Sequence, residues 1–130
     1  MHQPYYKDVL SGEVSLPWVR LHGIKDYLDM ALILEDFSNI RQNFNLVPSL
    51  IDQIEDYSKR PLEIKDKFLE LTLKNPKDLD DKEKEFILLN FFMSNWHTMV
   101  TPHSRYYNLL LKRGRFVPKN SISKVIKNFS

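Results

Sequence analysis

The stretch IKDYLDMALILEDFSNIRQNFNLVPS, residues 24–49, decides the fold class. Ile24, Tyr27, Leu28, Ala31 and Leu34 recur at helical spacing, and Met30, Ile33 and Phe37 widen the apolar stripe until little polar face is left. The spacing predicts a helix over 24–37 that other structure covers. Ser38-Asn39 breaks the pattern. From Ile40 to Val47, Ile40, Gln42, Phe44 and Leu46 mostly alternate with Arg41, Asn43 and Asn45, which predicts a short strand. Pro48 beside Ser49, with Asp52 three residues on, marks a helix running to about Tyr57, whose first free amides the hydroxyl and carboxylate can satisfy. Residues 4–20 hold Pro4, Gly12 and Pro17 among aromatics and polar groups without a sustained period, and they read as a long loop. Loop, helix, turn and strand together read as part of a β/α repeat, so the chain is placed in the α/β class.

Beyond Pro61 the pattern changes to three or four helices with no further strand. Leu62 to Lys74 is amphipathic through Ile64, Phe68, Leu69 and Leu71, and Asn75-Pro76 stops it. Asp80 with Glu83 has the spacing of a capping box, opening a helix whose Phe86, Ile87, Leu89, Asn90 and Met93 turn inward. Thr101-Pro102 reads as a cap plus first-turn proline. The helix through Tyr106, Leu109, Leu110 and Arg113 ends at Gly114, and Ser121 to Asn128 adds a short one. The expected division is 1–60 and 61–130.

Composition narrows the chemistry. Among 130 residues, Leu, Ile, Val and Phe make up about a third, enough to exclude wholesale disorder. With no cysteine there is no disulfide framework, thiolate metal site or cysteine nucleophile, and a cytoplasmic home is expected. No apolar run approaches the length that a bilayer requires, so no membrane partner is expected. The net charge of +2 is unevenly spread: residues 103–130 carry seven cations and no acid, whereas residues 1–102 carry 12 cations and 17 acids.

The carboxylate groups Asp26/Asp29, Asp52/Glu55/Asp56 and Asp80/Asp81/Glu83 lie on predicted helices among lysines and read as solvated surface, not as an acid/base pair. His2, His22, His97 and His103 are never three or four apart, so no helical face offers two imidazoles to a metal, and none is expected. Glycines at 12, 23 and 114 alone cannot build a phosphate loop, and no Gly-x-Ser-x-Gly elbow is present. The basic end interleaves Tyr106 and Tyr107 with Arg105, Lys112, Arg113 and Arg115, raw material for a nucleic-acid surface, although inward packing of the aromatics is the expected reading and no nucleic-acid partner is assigned. Sugar rings favour flat apolar faces mixed with neutral donors and acceptors. Residues 2–22 supply that mixture in His2, Gln3, Tyr5, Tyr6, Trp18, Arg20 and His22, and Asn45 to Ser49 lies where a barrel strand would end.

Four blocks then resemble one family in order and spacing: MHQPYYKD at 1–8, LPWVRLHGIKDY at 16–27, NFNLVPSL at 43–50 and NFFM at 90–93, with Arg105-Tyr106 and Lys112-Arg113-Gly114 following. Together they closely resemble the N-terminal part of glycoside hydrolase family 57. The resemblance implies an incomplete (β/α)7 TIM-like barrel, a retaining mechanism on α-glucans or related α-glycosides, and no obligatory metal or organic cofactor. It also implies that the His-Gln-Pro block ends the first barrel strand, which here would precede Met1 together with a histidine two residues before His2. The family's glutamate nucleophile and aspartate acid/base lie on later strands beyond the matched segment, and no residue here corresponds to either. A retaining site needs two carboxyl groups about 5–5.5 Å apart.

The chain is therefore expected to be the N-terminal fragment of such a barrel, mostly helical with one or two short strands, lacking the remainder of the barrel and inactive alone. Its expected substrate contacts are His2 and Gln3, with Trp18, His22 and Asn45 beside them, and the expected ligand is an α-glucan or oligosaccharide. The competing expectation is a stand-alone helical binding protein for nucleic acid or a protein partner.

Overall fold

Asp8 turns the chain back on itself. Its Oδ1 accepts from the amides of Leu10 (3.1 Å) and Ser11 (2.6 Å), and its carbonyl accepts from Gly12 N (2.9 Å). Gly12 sits at φ +72°, a backbone state that side chains with a Cβ resist. The turn brings Lys7 into an antiparallel bridge with Val14 and leads into strand β1 (Glu13–Val14). In this computed structural model, residues 3–61, 63–118 and 121–129 are described, and the chain divides into two compact units, Met1–Glu70 and Leu71–Ser130.

In the first unit, β1 pairs in parallel with β2 (Lys65–Asp66), Glu13 opposite Lys65 and Val14 opposite Asp66. Helices α1 (Trp18–Gly23), α2 (Asp26–Leu32) and α3 (Pro48–Lys59) lie between the two strands in sequence, and α1 packs on both α2 and α3. This is a strand, a helical crossover and a parallel strand, the unit from which β/α folds are built. Val19, Leu50 and Phe68 are its buried apolar residues.

The second unit contains the end of α4 (Lys67–Leu73), α5 (Asp81–Asn90), a π-helical turn (Trp96–Val100), α6 (Ser104–Arg113) and α7 (Ile122–Ile126). Asp80 accepts from Glu83 N at 2.8 Å and Glu83 accepts from Asp80 N at 3.0 Å, so the expected capping box starts α5. Leu88, Phe92, Val100, Leu110 and Ile122 form one apolar core. Gly114 ends α6 at φ +89° and ψ 142°, a positive-φ stop, although not the left-handed helical geometry of the common glycine cap.

Several expectations are corrected. Residues 40–47 form no strand: a strand needs a partner's ladder, and none of the described residues supplies one there, leaving Ile40 and Leu46 exposed. The helix over 24–37 is shorter, giving way to a 3-10 turn at Ile33–Asp36, and it is not covered. Ile24, Leu28, Met30, Leu32, Ile33 and Phe37 are all exposed. Residues 4–20 are not all loop, since β1 and the start of α1 fall within them. α3 has Pro48 in its first turn as expected, but its N-cap Val47 has no side-chain polar atom to offer as a cap, and the carboxylate of Asp52 accepts from Tyr5 OH. A strand does occur beyond Pro61: residues 65–66 form β2 and pair with β1, so α4 starts at Lys67 rather than near Leu62. The helix expected from Thr101-Pro102 begins at Ser104, after the π-helical turn.

Candidate functional site

The face of α3 carrying Asp52, Gln53 and Asp56 holds residues 4–7 in place. Gln53 is buried and satisfied at both ends: its Oε1 accepts from Tyr6 N at 2.8 Å, and its Nε2 donates to the carbonyls of Pro4 (3.1 Å) and Ser49 (2.8 Å). Tyr5 OH donates to Asp52 Oδ2 at 2.5 Å, which pushes the phenol pKa upward. Lys7 Nζ donates to Asp56 Oδ2 at 2.5 Å while Arg60 pairs with the other oxygen. The hydrogen bond from Lys7, assisted by Arg60, holds Asp56 below the ordinary carboxylate range despite its burial.

A second anchor lies at Asp66, whose side chain is fully buried. One oxygen caps α4 through the amides of Phe68 (2.8 Å) and Leu69 (3.1 Å), and the other accepts from Tyr57 OH (2.9 Å) and Arg20 Nε (3.3 Å). Burial, followed by the negative charge of Asp66, raises the Tyr57 pKa well above the usual tyrosine value. Asp56 is thus not the solvated surface group expected from its lysine-rich surroundings. Asp56 and Asp66 are the buried carboxylates among the described residues, and both are saturated by cations and N–H or O–H donors. They are structural anchors, not a free acid and base.

On these anchors stands a mixed aromatic and polar cluster. Trp18 and His22, one turn apart on α1, have ring centroids 6.0 Å apart, and His22 lies 6.1 Å from Tyr27 of α2. His22 Nδ1 pairs with Asp26. Gln3 Nε2 donates to Tyr27 OH at 2.9 Å, and Gln3 Oε1 accepts from Tyr6 OH at 3.1 Å. Of the expected site residues, Gln3, Trp18 and His22 are therefore joined through Tyr27. His2 lies outside the described residues. Asn45 is exposed on the irregular segment before Pro48. Sequence reasoning misses Tyr27, whose spacing places it in an apolar stripe, and Asp26, whose neighbours place it on solvated surface. The i,i+4 spacing of His22 and Asp26 was the available signal.

In the basic C-terminal stretch, Arg113 is drawn inward. Its guanidinium lies 4.9 Å from the Phe92 ring centroid and 5.9 Å from that of Trp96, and Nη1 donates to the Leu88 carbonyl at 2.9 Å. Burial lowers its pKa, while Arg115 donates to Tyr107 OH at 3.2 Å. Among the described residues no three His, Asp or Glu side chains gather to hold a metal, and no helix is long and apolar enough to cross a membrane.

A family model described as glycosyl hydrolase family 57 matches residues 1–129. The chain belongs to glycosyl hydrolase family 57. No curated protein and no solved structure matches it. Family membership makes carbohydrate the substrate class of an intact enzyme. The described residues of this family 57 chain are mostly helical, with a single parallel pair of two-residue strands.

Proposed function

We propose that this chain is the substrate-facing N-terminal portion of a family 57 retaining glycosidase acting on α-glucans or related α-glycosides, with both catalytic carboxylates contributed from outside these 130 residues. The reading divides the barrel start, residues 1–60, from a helical continuation, residues 61–130. Gln3, Trp18, His22 and Asn45 contact sugar in it, together with His2, whose imidazole hydrogen-bonds hydroxyls as charge develops at the anomeric carbon. The observation that carries the proposal is the clustering of Gln3, Trp18 and His22 in a chain of this family. Gln3 retains a second N–H and further acceptor capacity after its two tyrosine contacts, and Trp18 offers a half-buried flat ring. The engagement of Asp56 and Asp66 in ion pairs supports the absence of an acid/base pair here.

Incubating the purified chain with maltohexaose and with an aryl α-glucoside, and separating the products, tests this reading. No cleavage above a buffer blank is expected. Turnover that disappears on changing Asp56 or another carboxylate of this chain would overturn it.

A further inference from the structure

The sugar-facing cluster contains two groups whose hydrogen-bonding roles are fixed by neighbours that need not touch a ligand. An aspartate oxygen can only accept, so the pairing with Asp26 puts a proton on His22 Nδ1 and leaves Nε2 of the neutral ring as an acceptor. Gln3 Nε2 donates to Tyr27 OH, so that oxygen is already an acceptor and its own proton is left to donate. Among the described residues nothing takes that proton, and nothing else engages His22 Nε2. The two rings are neighbours, with centroids 6.1 Å apart and planes inclined by 38°. The Trp18 ring centroid also lies near the imidazole, at 6.0 Å. The His22 side chain is 38 % exposed, so a ligand can reach it.

We infer that Tyr27 and His22 form a hydroxyl-recognition pair for one sugar residue, the Tyr27 O–H donating to one hydroxyl and His22 Nε2 accepting from another. Asp26 and Gln3 act as positioning residues that fix the imidazole tautomer and the phenol orientation. Such a pair selects a neutral polyol, which offers donors and acceptors side by side. It rejects an anion, which can only accept and would face the imidazole lone pair. The inference rests on the proposed sugar-facing role and assigns within it two residues, Tyr27 and Asp26, beyond those named there.

The test combines imidazole nitrogen NMR with titration by maltohexaose, using the wild-type chain and Asp26→Ala, Asp26→Asn and Tyr27→Phe variants. Neutral His22 in the wild type should carry its proton on Nδ1. Asp26→Ala should release that preference, and Asp26→Asn, which keeps an acceptor oxygen, should restore it. Tyr27→Phe and Asp26→Ala should each weaken maltohexaose binding roughly tenfold, the scale of one hydrogen bond at a ligand, while Asp26→Asn stays near wild type. Neutral wild-type His22 protonated on Nε2 overturns the inference whatever the sugar result. Undiminished binding by Tyr27→Phe and Asp26→Ala overturns it while leaving the proposed function standing. A wild-type chain that does not bind maltohexaose, with the tautomer as expected, overturns both the recognition pair and the sugar-facing reading.

Discussion

The two units of this chain are held together by different physics. Residues 71–130 close around Leu88, Phe92, Val100, Leu110 and Ile122, with Leu89, Trp96, Tyr106, Tyr107, Val125 and Ile126 packed against them. Residues 1–70 bury little apolar surface by comparison. They are pinned by Gln53, Asp56 and Asp66, whose long-range polar contacts join segments 46 to 49 residues apart in sequence. The unit that bears the candidate site also exposes the apolar residues of its α2 region, Leu28, Ile33 and Phe37 among them. Polar anchors fix geometry at specific atoms, whereas a hydrophobic core is indifferent to direction. A segment that must present donors and acceptors to a ligand gains from the first kind of support.

The contrast is broken most strongly at Asp66. Asp66→Ala leaves the half-buried Tyr57 and Arg20 donors without their acceptor and uncaps α4, and should cost about 3 kcal/mol. Hydrogen exchange should rise across residues 3–61 while the amides of α5 to α7 keep their protection. Leu110 is 1 % exposed, and Leu110→Ala should cost about 3 kcal/mol through lost burial and a cavity. The same exchange measurement should then show loss of protection in α5 to α7.

Acid sharpens the difference without mutation. Asp56 titrates below its unfolded value, so its contribution is present above the ordinary carboxylate range and is lost as pH falls through the depressed folded pKa. Denaturation monitored by exchange at decreasing pH should weaken the first unit, and Asp56→Asn should flatten that part of the profile while lowering stability at neutral pH. The smallest expected effect is at the α5 cap, where Asp80→Ala should cost about 1 kcal/mol and be read as fraying of Asp81 to Glu85.

What was legible in the sequence was local. Asp80 and Glu83 announce their helix because both partners lie within one turn, and Asn75-Pro76 stops α4 for a similarly short-range reason. The alternation at 40–47 misled because it reports a backbone that suits pairing without saying whether a partner exists. The short strand at Lys65–Asp66 carries too few residues for any period to register. Asp56 stood among lysines and read as solvated, and only the return of Lys7 across 49 residues shows why it is buried. The site followed the same rule. Gln3, Trp18 and His22 stood out by residue type and family resemblance, whereas the hydroxyl of Tyr27 was hidden within an apolar stripe until the fold brought Gln3 to it.

The chain's two tryptophans divide between the units, Trp18 beside His22 and Trp96 against the second core, so one spectrum of the two indole N–H signals reports on both. Titration with maltohexaose should move the Trp18 signal in a saturable way and leave Trp96, whose indole N–H is donated to the Phe92 carbonyl at 2.7 Å, unchanged. A stationary Trp18 signal, or a saturable shift confined to Trp96, would contradict the assignment of the sugar-facing surface to residues 1–70.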